Sequence, residues 1–420
     1  MSSEWQTVRV CELGRVVTGK TPSTKDTENF GGTFPFITIP DLGESRFVIS
    51  TERTLSDKGA RLVRSAALPA GAVLMSCIAT VGKRGITTQQ SFTNQQINAV
   101  ICGDDVHSQF LYYAFSELAR DLDSSGSGGS VYTNVSKSRF ENMSLRIPAL
   151  AEQVLIADFL GSLDDRIDNL RATNATLEAI AQAIFKSWFI DFDPVRAKME
   201  GRDPEGMDAE TAALFPSEFE ESELGLIPRG WKVVPVEQIA KISGGKQLSR
   251  DEFIDEGEFP IFGGAGVMGR ANRANAEGFV IVLGRVGAYC GQFFWHRGPA
   301  WVNNNASLVT PINRAGEWLI NLMWSIDMNK IKKGAAQPFV SNGDLGRVEV
   351  ADPGSGLIAE FAKLGGPLFE RIASLQSELN AIAQIRDNLL PRLISGKLKL
   401  PERVESRLEQ SEFSESIKSH

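Results

Sequence analysis

The chain repeats itself, and a repeat of this length restricts the fold to two similar units, each burying its own core. Trp5 opens WQTVRVCELGRVVTGK, and Trp231, 226 positions later, opens WKVVPVEQIAKISGGK. FPFITIPDL (34–42) stands against FPIFGGAGV (259–267), and GAVLMSCIATVGKRG (71–85) against GFVIVLGRVGAYCG (278–291). FTNQQINAVI (92–101) pairs with WVNNNASLVT (301–310), and SGGSVYTNVSKSRFENMSLRIP (127–148) with KKGAAQPFVSNGDLGRVEVADP (332–353). Each copy closes on a long apolar-periodic stretch in which AIAQ recurs, at 179–182 and at 381–384. The order is globular, helix, globular, helix.

The globular blocks read as mixed α/β. Short runs such as GAVLMSCIA, INAVIC, FVIVLG and SLVTP are bounded by Gly, Pro and Asn turn signals, which marks strands. Helices are expected at 107–122 and 317–333, and the Ser/Gly run 124–130 reads as a mobile loop. Neither block alternates strands with long helices, so a doubly wound nucleotide fold is disfavoured. The chain divides at this level into blocks 1–150 and 231–355, helices 151–190 and 356–400, an acidic segment 191–230 and a polar tail 401–420.

In the first helix Ile156, Leu160, Leu163, Ile167, Leu170, Asn174, Leu177, Ala181, Ile184 and Trp188 recur at alternating three and four residues, a heptad seam. Leu368, Ile372, Leu375, Leu379, Ile382, Ile385, Leu389 and Leu393 do the same in the second. Two such seams in one chain are expected to pack on each other; the alternative is that each packs on its own block. Gly365, Gly366 and Pro367 are expected to break the second helix near its start, and Pro391 to kink or end it. A helix of about 35 residues is about 50 Å long, so such rods would act as a fixed ruler.

The formal charge of −8 argues at first against a phosphate-binding surface. Its distribution removes the objection. Residues 1–150 carry 15 Lys/Arg against 14 Asp/Glu and residues 231–355 carry 13 against 12, whereas 151–230 carry 7 against 17. The acidity sits in one segment, and local basic surface elsewhere stays possible. The acidic stretch 191–223 is expected to be a linker and partner contact. No run approaches the roughly 18 apolar residues of a membrane span, and MSSEWQTVRVCEL lacks the features of a secretory signal. Cys11, Cys77, Cys102 and Cys290 lie far apart, which argues against a disulfide framework or zinc ribbon and fits a cytoplasmic setting.

One catalytic pattern needs weighing. Gly14 to Thr21 satisfies G-x-x-x-x-G-K-T, the loop that cradles nucleotide phosphates. A true loop of this kind opens a helix, yet Lys20 is followed by TPSTKDTENFGG, and the second copy has Lys246 without the Ser/Thr. A glycine turn leaving a strand is the preferred reading, with a nucleotide-dependent enzyme as the alternative and a coiled-coil adaptor as another. Asp/Asn/Ser-Pro-Pro-aromatic, H-E-x-x-H and G-x-S-x-G are absent, and Pro40-Asp41 finds no matching acid-x-Lys. No catalytic residue and no metal site is expected on this chain.

GKTPSTKDTENFGGTFPFITIPDL (19–42), FTNQQINAVI, Val135-Ser136-Lys137 leading to RIPALAEQ (146–153), KSWFIDFDPVRAKMEG (186–201) and LLPRLISGKLKL (389–400) together resemble the specificity subunit of type I restriction–modification systems. The likeness runs in order over about residues 5–400, in both halves. It implies two similar mixed α/β target-recognition domains, related by a pseudo-two-fold and separated by an antiparallel coiled coil. Each would read one half of a split double-stranded DNA target. It also implies a non-catalytic chain that docks two methyltransferase subunits and, through them, restriction subunits. S-adenosylmethionine, ATP and Mg would then belong to those partners, with no cofactor here and no membrane contact.

Base readout needs paired donors and acceptors, Arg or Lys for guanine and Asn or Gln for adenine. Two places recur in both copies. The first is the Gly segment holding Lys83 and Arg84, with Arg285 in the second copy. The second is the triplet Asn94-Gln95-Gln96, matched by Asn303-Asn304-Asn305. The amides are also what a hydrogen-bonded turn would use. Arg270 and Arg273 are candidates for phosphate, and Lys330, Lys332, Lys333 and Gln337 form a basic run before a Gly turn.

Overall fold

The computed structural model describes residues 5–43, 45–124, 134–334 and 337–401, and of 121–124 the backbone alone. Most of the 124–130 run and all but the first residue of the 401–420 tail lie outside the described residues. The chain forms two compact units. The first takes in residues 1–170 and 378–420, the second 171–377. Either unit therefore combines one globular block with part of each long helix.

In the first unit the order is β1 (Gln6–Arg9), β2 (Gly14–Thr18), β3 (Phe30–Ile37), β4 (Phe47–Val48), β5 (Arg53–Leu55), α1 (Asp57–Leu62), β6 (Val73–Ser76) and β7 (Arg84–Thr87). Then come β8 (Phe92–Thr93), β9 (Ile97–Cys102), α2 (Ser108–Ser124), α3 (Lys137–Asn142) and β10 (Ser144–Ile147). A five-stranded sheet runs β2-β9-β6-β7-β4, a three-stranded one β5-β3-β8, and β1 pairs with β10. In the three-stranded sheet β3 meets β8 in parallel, Phe36 opposite Phe92. Helix α2 covers the larger sheet because Phe110, Leu111, Ala114, Phe115 and Leu118 recur at helical spacing and are buried. Each such large side chain contributes about 1.5–3 kcal/mol by leaving water.

Helix α4 (Leu150–Phe189) leads into the second unit. There follow α5 (Asp193–Met199), α6 (Ala209–Ala213), β11 (Phe219–Ser222), β12 (Gly225–Pro228), β13 (Lys232–Pro235), α7 (Val236–Ile239) and β14 (Ala240–Gly244). Next are β15 (Phe259–Gly263), β16 (Gly266–Ala271), β17 (Phe279–Gly284), β18 (Phe293–Arg297), β19 (Trp301–Val302) and β20 (Ala306–Pro311). The chain ends with α8 (Gly316–Ser325), α9 (Asn342–Gly346), β21 (Glu349–Asp352) and α10 (Ser355–Ile394). The sheet orders β14-β20-β17-β18 and β16-β15-β19, with β13 on β21, repeat those of the first unit except that β4, on the edge of its larger sheet, has no counterpart. The parallel contact recurs too, Ile261 opposite Trp301. The repeat in the sequence is a repeat in topology, and the fold is two similar mixed α/β units.

The long helices pack within each unit. In the first, Ile156 and Leu160 from early α4 share a core with Leu393 and Ile394 from late α10. In the second, Phe185, Trp188 and Phe189 from late α4 surround Phe361 of early α10 at ring-centroid distances of 5.7, 6.2 and 5.6 Å. Early against late in both places is antiparallel pairing. Ile167, Leu170, Ile372, Leu375 and Leu379 are buried, Leu163, Leu177, Ile184, Leu368 and Ile382 half-buried. Ile385 departs from the seam and is half exposed.

Three expectations need correction. Helix α10 runs unbroken through Gly365, Gly366 and Pro367, because Phe361 and Phe369, both fully buried, anchor the turns on either side. Tertiary packing outweighs the local penalty of proline there. The helix predicted over 317–333 stops at Ser325, and Met328–Lys330 form a separate short turn. The acidic segment is folded rather than a linker. Val195, Phe215 and Ile227 enter the main core of the second unit, and Lys198 Nζ donates to the carbonyl oxygens of Ala212 and Phe215. Asp193 accepts from Ser187 Oγ at 2.7 Å, and Asp191 pairs with Lys186, tying α5 to the end of α4. Among the described residues no helix is long and apolar enough to cross a membrane, and no His/Cys/Asp/Glu group is placed to hold a metal.

Candidate nucleic-acid interface

The phosphate-loop alternative fails on geometry. Gly14 to Thr18 is strand β2, paired residue by residue with β9 from Gly14–Cys102 to Thr18–Asn98. Its backbone N–H groups belong to a sheet and are not arrayed at a helix start as a phosphate cradle requires. The glycines have another explanation. A Cβ on Gly19 would stand 2.1 Å from Asn94 O, and one on Gly245 2.0 Å from Asn303 O. Both copies thus need glycine so that the segment leaving the strand can pass against the amide triplet. Asp41 is likewise a turn cap, accepting from Thr38 N and Thr38 Oγ1, each at 2.7 Å.

The first member of each triplet shapes the turn. Asn94 Oδ1 accepts from Gln96 N at 3.1 Å and its Nδ2 donates to Gln96 Oε1 at 3.0 Å. Asn303 is buried, with Oδ1 accepting from Asn304 N at 2.8 Å. The members that face solvent are Gln95, Asn304 and Asn305. Thr21 Oγ1 donates to Gln95 Oε1 at 2.5 Å, which orients that amide.

The nominated cations divide the same way. Arg84 lies against Tyr112, with Nη1 donating to the Tyr112 carbonyl oxygen at 3.1 Å and the guanidinium 5.0 Å from the ring centroid. Burial pulls its pKa below the ordinary value. Arg270 donates to the carbonyl oxygens of Gly257 and Glu258 at 2.5 and 2.6 Å. Arg273 pairs with Glu252 at 2.6 Å over the Trp301 ring, and Lys333 pairs with Asp344 at 2.8 Å. These four groups are engaged inside the protein. Lys83 is half-buried, its stem packed near Gly43 and its Nζ 3.5 Å from Ile39 O. Lys332 reaches Asn329 Oδ1 at 3.4 Å. Arg285 is half exposed, and its guanidinium makes no hydrogen bond or ion pair among the described residues.

In the second unit these groups converge. Val340 N donates to Arg285 O at 3.0 Å and Gly287 N to Pro338 O at 3.1 Å, which docks residues 338–340 on the loop after β17. A Cβ on Gly264 would meet Asn305 O at 3.3 Å, and one on Gly284 would meet Gly264 O at 2.3 Å, so the loops after β15 and β17 touch beside the triplet. The resulting surface presents Arg285, Asn304 and Asn305 beside exposed Tyr289 and Phe339. It combines a forked donor, amides and aromatic faces, which suits base edges and phosphate.

In the first unit the matching sequence missed the exposed cations. Lys20 Nζ donates to Ser65 Oγ at 2.9 Å, which sets it beside Arg64 and Arg61 on the connection from α1 to β6. None of the three enters an ion pair among the described residues. The matching connection in the second copy, 272–278, is short and carries no helix, so repeat alignment had no means of pointing to these residues.

A polar network fixes the first block on α4. Arg46, 7% exposed, donates to Asp165 at 2.8 Å and to Tyr113 Oη at 3.4 Å. Tyr113 Oη donates to Asp164 at 2.5 Å, and Arg386 of α10 donates to the other Asp164 oxygen at 2.7 Å. Burial and the Asp164 carboxylate push the Tyr113 phenol well up, which keeps it a donor. The second unit uses aromatics instead, with Trp295 4.8 Å from Phe369 and donating to Glu178 at 3.1 Å.

Comparison with known proteins places these features in a family. The model of the type I restriction modification DNA specificity domain matches residues 2–179 and 228–353. The type I restriction enzyme MjaIX specificity subunit of Methanocaldococcus jannaschii is 26% identical over 95% of this chain and 94% of its own length. The HindI specificity subunit of Haemophilus influenzae is 33% identical over 40% of this chain and 38% of its own. The crystal structure of a type I restriction–modification S subunit from M. genitalium superposes with a TM-score of 0.55 at 17% identity, covering 93% of this chain and 96% of that one, a likeness of fold.

Proposed function

The chain belongs to the type I restriction–modification DNA specificity family, and from that premise we propose that each unit reads one half of a two-part duplex DNA sequence. The protein is a DNA-recognition and scaffold subunit. The observation that carries the two-part reading is the second copy of the sheet order, each with its own glycine-seated amide turn. Two readers of one fold and different surface suit two half-sites of different sequence. The helices α4 and α10, which contribute to both units, set the gap between the half-sites.

The chain carries no chemistry of its own in this reading. Two methyltransferase subunits dock on it, and restriction subunits join through them in the cytoplasm. S-adenosylmethionine, ATP and Mg belong to those partners. The folded acidic insert 191–230 repels phosphate and serves a partner surface better than a DNA surface.

The test is methylome sequencing of cells expressing this chain with its cognate methyltransferase. A methylated motif in two parts with a constant gap is expected. A continuous motif, or methylation without sequence preference, would reject the reading.

A further inference from the structure

The first unit holds an open cavity of about 390 Å³. Its floor is Phe34 and Phe92, edge to face at 5.9 Å, and its rim carries Arg61, Arg64, Gln90 and Asp57. The rim comes from the connection 56–72, which includes α1, and from the turn 88–91. In the second unit the matching connections, 272–278 and 298–300, are short and contain no helix.

We propose that this cavity is the base-reading element of the first unit, taking the major-groove edge of one or two base pairs in intact duplex DNA. The inference rests on the two-part reading above and adds where one half of the sequence is decided. Two units of shared topology can read different half-sites only where their surfaces differ, and this is a place where they do. The composition of the rim favours base edges over phosphate. A phosphate clamp would be cationic throughout, whereas here two guanidinium groups stand with an amide and a carboxylate. That set supplies the partners of guanine, adenine and cytosine N4, and a phenylalanine floor suits the thymine methyl.

The surroundings extend the same surface. Arg61 Nε is held by the Asp57 carbonyl oxygen at 3.1 Å, which leaves the outer nitrogens of the fork for a ligand. Arg64 is exposed, and its guanidinium makes no hydrogen bond or ion pair among the described residues. From Arg64 the neighbouring Ser65 leads to Lys20, and Thr21 leads to Gln95. Lys20 and Gln95, outside the cavity lining, are positioning contacts for the backbone of the same duplex.

The test compares Arg64→Lys, Arg64→Ala and Gln90→Ala in the assembled complex with its methyltransferase, by methylome sequencing and by binding to duplex across a salt titration. Lysine keeps the charge but loses the forked pair. The expected result for Arg64→Lys is an unchanged salt slope with preference at one position of one half-site relaxed roughly 10- to 100-fold. Gln90→Ala is expected to relax an adjacent position of the same half. An unchanged motif in both alanine variants overturns the proposal. So does an Arg64→Ala variant whose affinity falls equally on all sequences with the salt slope reduced by about 0.9, which is the mark of a phosphate contact. If the unmodified complex yields no two-part motif, the parent reading fails first, and the two failures are told apart.

Discussion

Replacing Gly161 of α4 by alanine sets two effects of opposite sign against each other. Alanine in a helix interior gains about 0.8–1.0 kcal/mol over glycine. Its Cβ, however, would stand 2.6 Å from Arg46 Nη1 and 3.3 Å from Arg46 Cζ. Something must move, and Arg46 is 7% exposed with its guanidinium bonded to Asp165 and Tyr113. Breaking a buried charged pair costs about 3–5 kcal/mol. Because the Asp165 side chain is itself 62% exposed, solvent screening discounts that cost to about 2–4 kcal/mol. The net is a loss of about 1–3 kcal/mol, an acceleration of amide exchange of roughly 5- to 150-fold. Hydrogen-exchange mass spectrometry on peptides from α2 and the first half of α4 reads this directly. The double variant Arg46→Met with Gly161→Ala removes the charge and is expected to recover protection to the original level. Equal or greater protection in Gly161→Ala alone would refute the idea that Arg46 is locked.

Other outcomes follow from the same structure. Phe361→Ala removes a fully buried ring that three aromatic side chains of α4 surround, and is expected to cost about 3–5 kcal/mol in the second unit; exchange in α4 beyond residue 171 should report it. Arg285→Ala is expected to weaken DNA binding by the assembled complex and lower the salt slope by about 0.9 without changing the melting curve; an identical titration would reject that role. At pH 8 iodoacetamide is expected to modify exposed Cys11 first, whereas Cys77 and Cys102, pushed up to about 11 by burial, react only on unfolding; mass mapping of native protein checks this. Asp344, held down at about 2 by Lys333 and by Ser341, favours the folded state above about pH 4, and that contribution fades as pH falls toward 2. Carboxyl NMR should show Lys333→Ala bringing its midpoint back up, and an unmoved midpoint would contradict the pairing.

Much of the architecture was legible because periodicity and repetition are global signals. The seam residues Ile156 to Trp188 and Leu368 to Leu393 announced two long helices, and the offset of Trp231 from Trp5 announced the second unit. What local rules misjudged was decided by packing at a distance. Pro367 sits inside α10 because Phe361 and Phe369 are held in a core assembled from segments spread over residues 181–369. The insert 191–230 folds because Phe215 finds Trp188 and Phe192 finds Trp231 and Phe219, encounters no composition reveals.

Candidate contacts are legible by type alone, for a related reason. Residue type marks which side chains suit base edges, but not which way they face. Arg84 and Arg270 have the right chemistry and spend it on carbonyl oxygens of their own unit. Arg61, Arg64 and Gln90 lie in connections that differ between the copies, so a search guided by repetition passes over them.

The most direct measurement exchanges residues 1–150 for the corresponding block of a relative with a different target, in complex with the cognate methyltransferase, and sequences the methylome. One half of the methylated motif should change to that of the donor while the other half and the gap remain. A motif that is wholly unaltered, or altered in both halves together, would contradict a chain built of two independent readers.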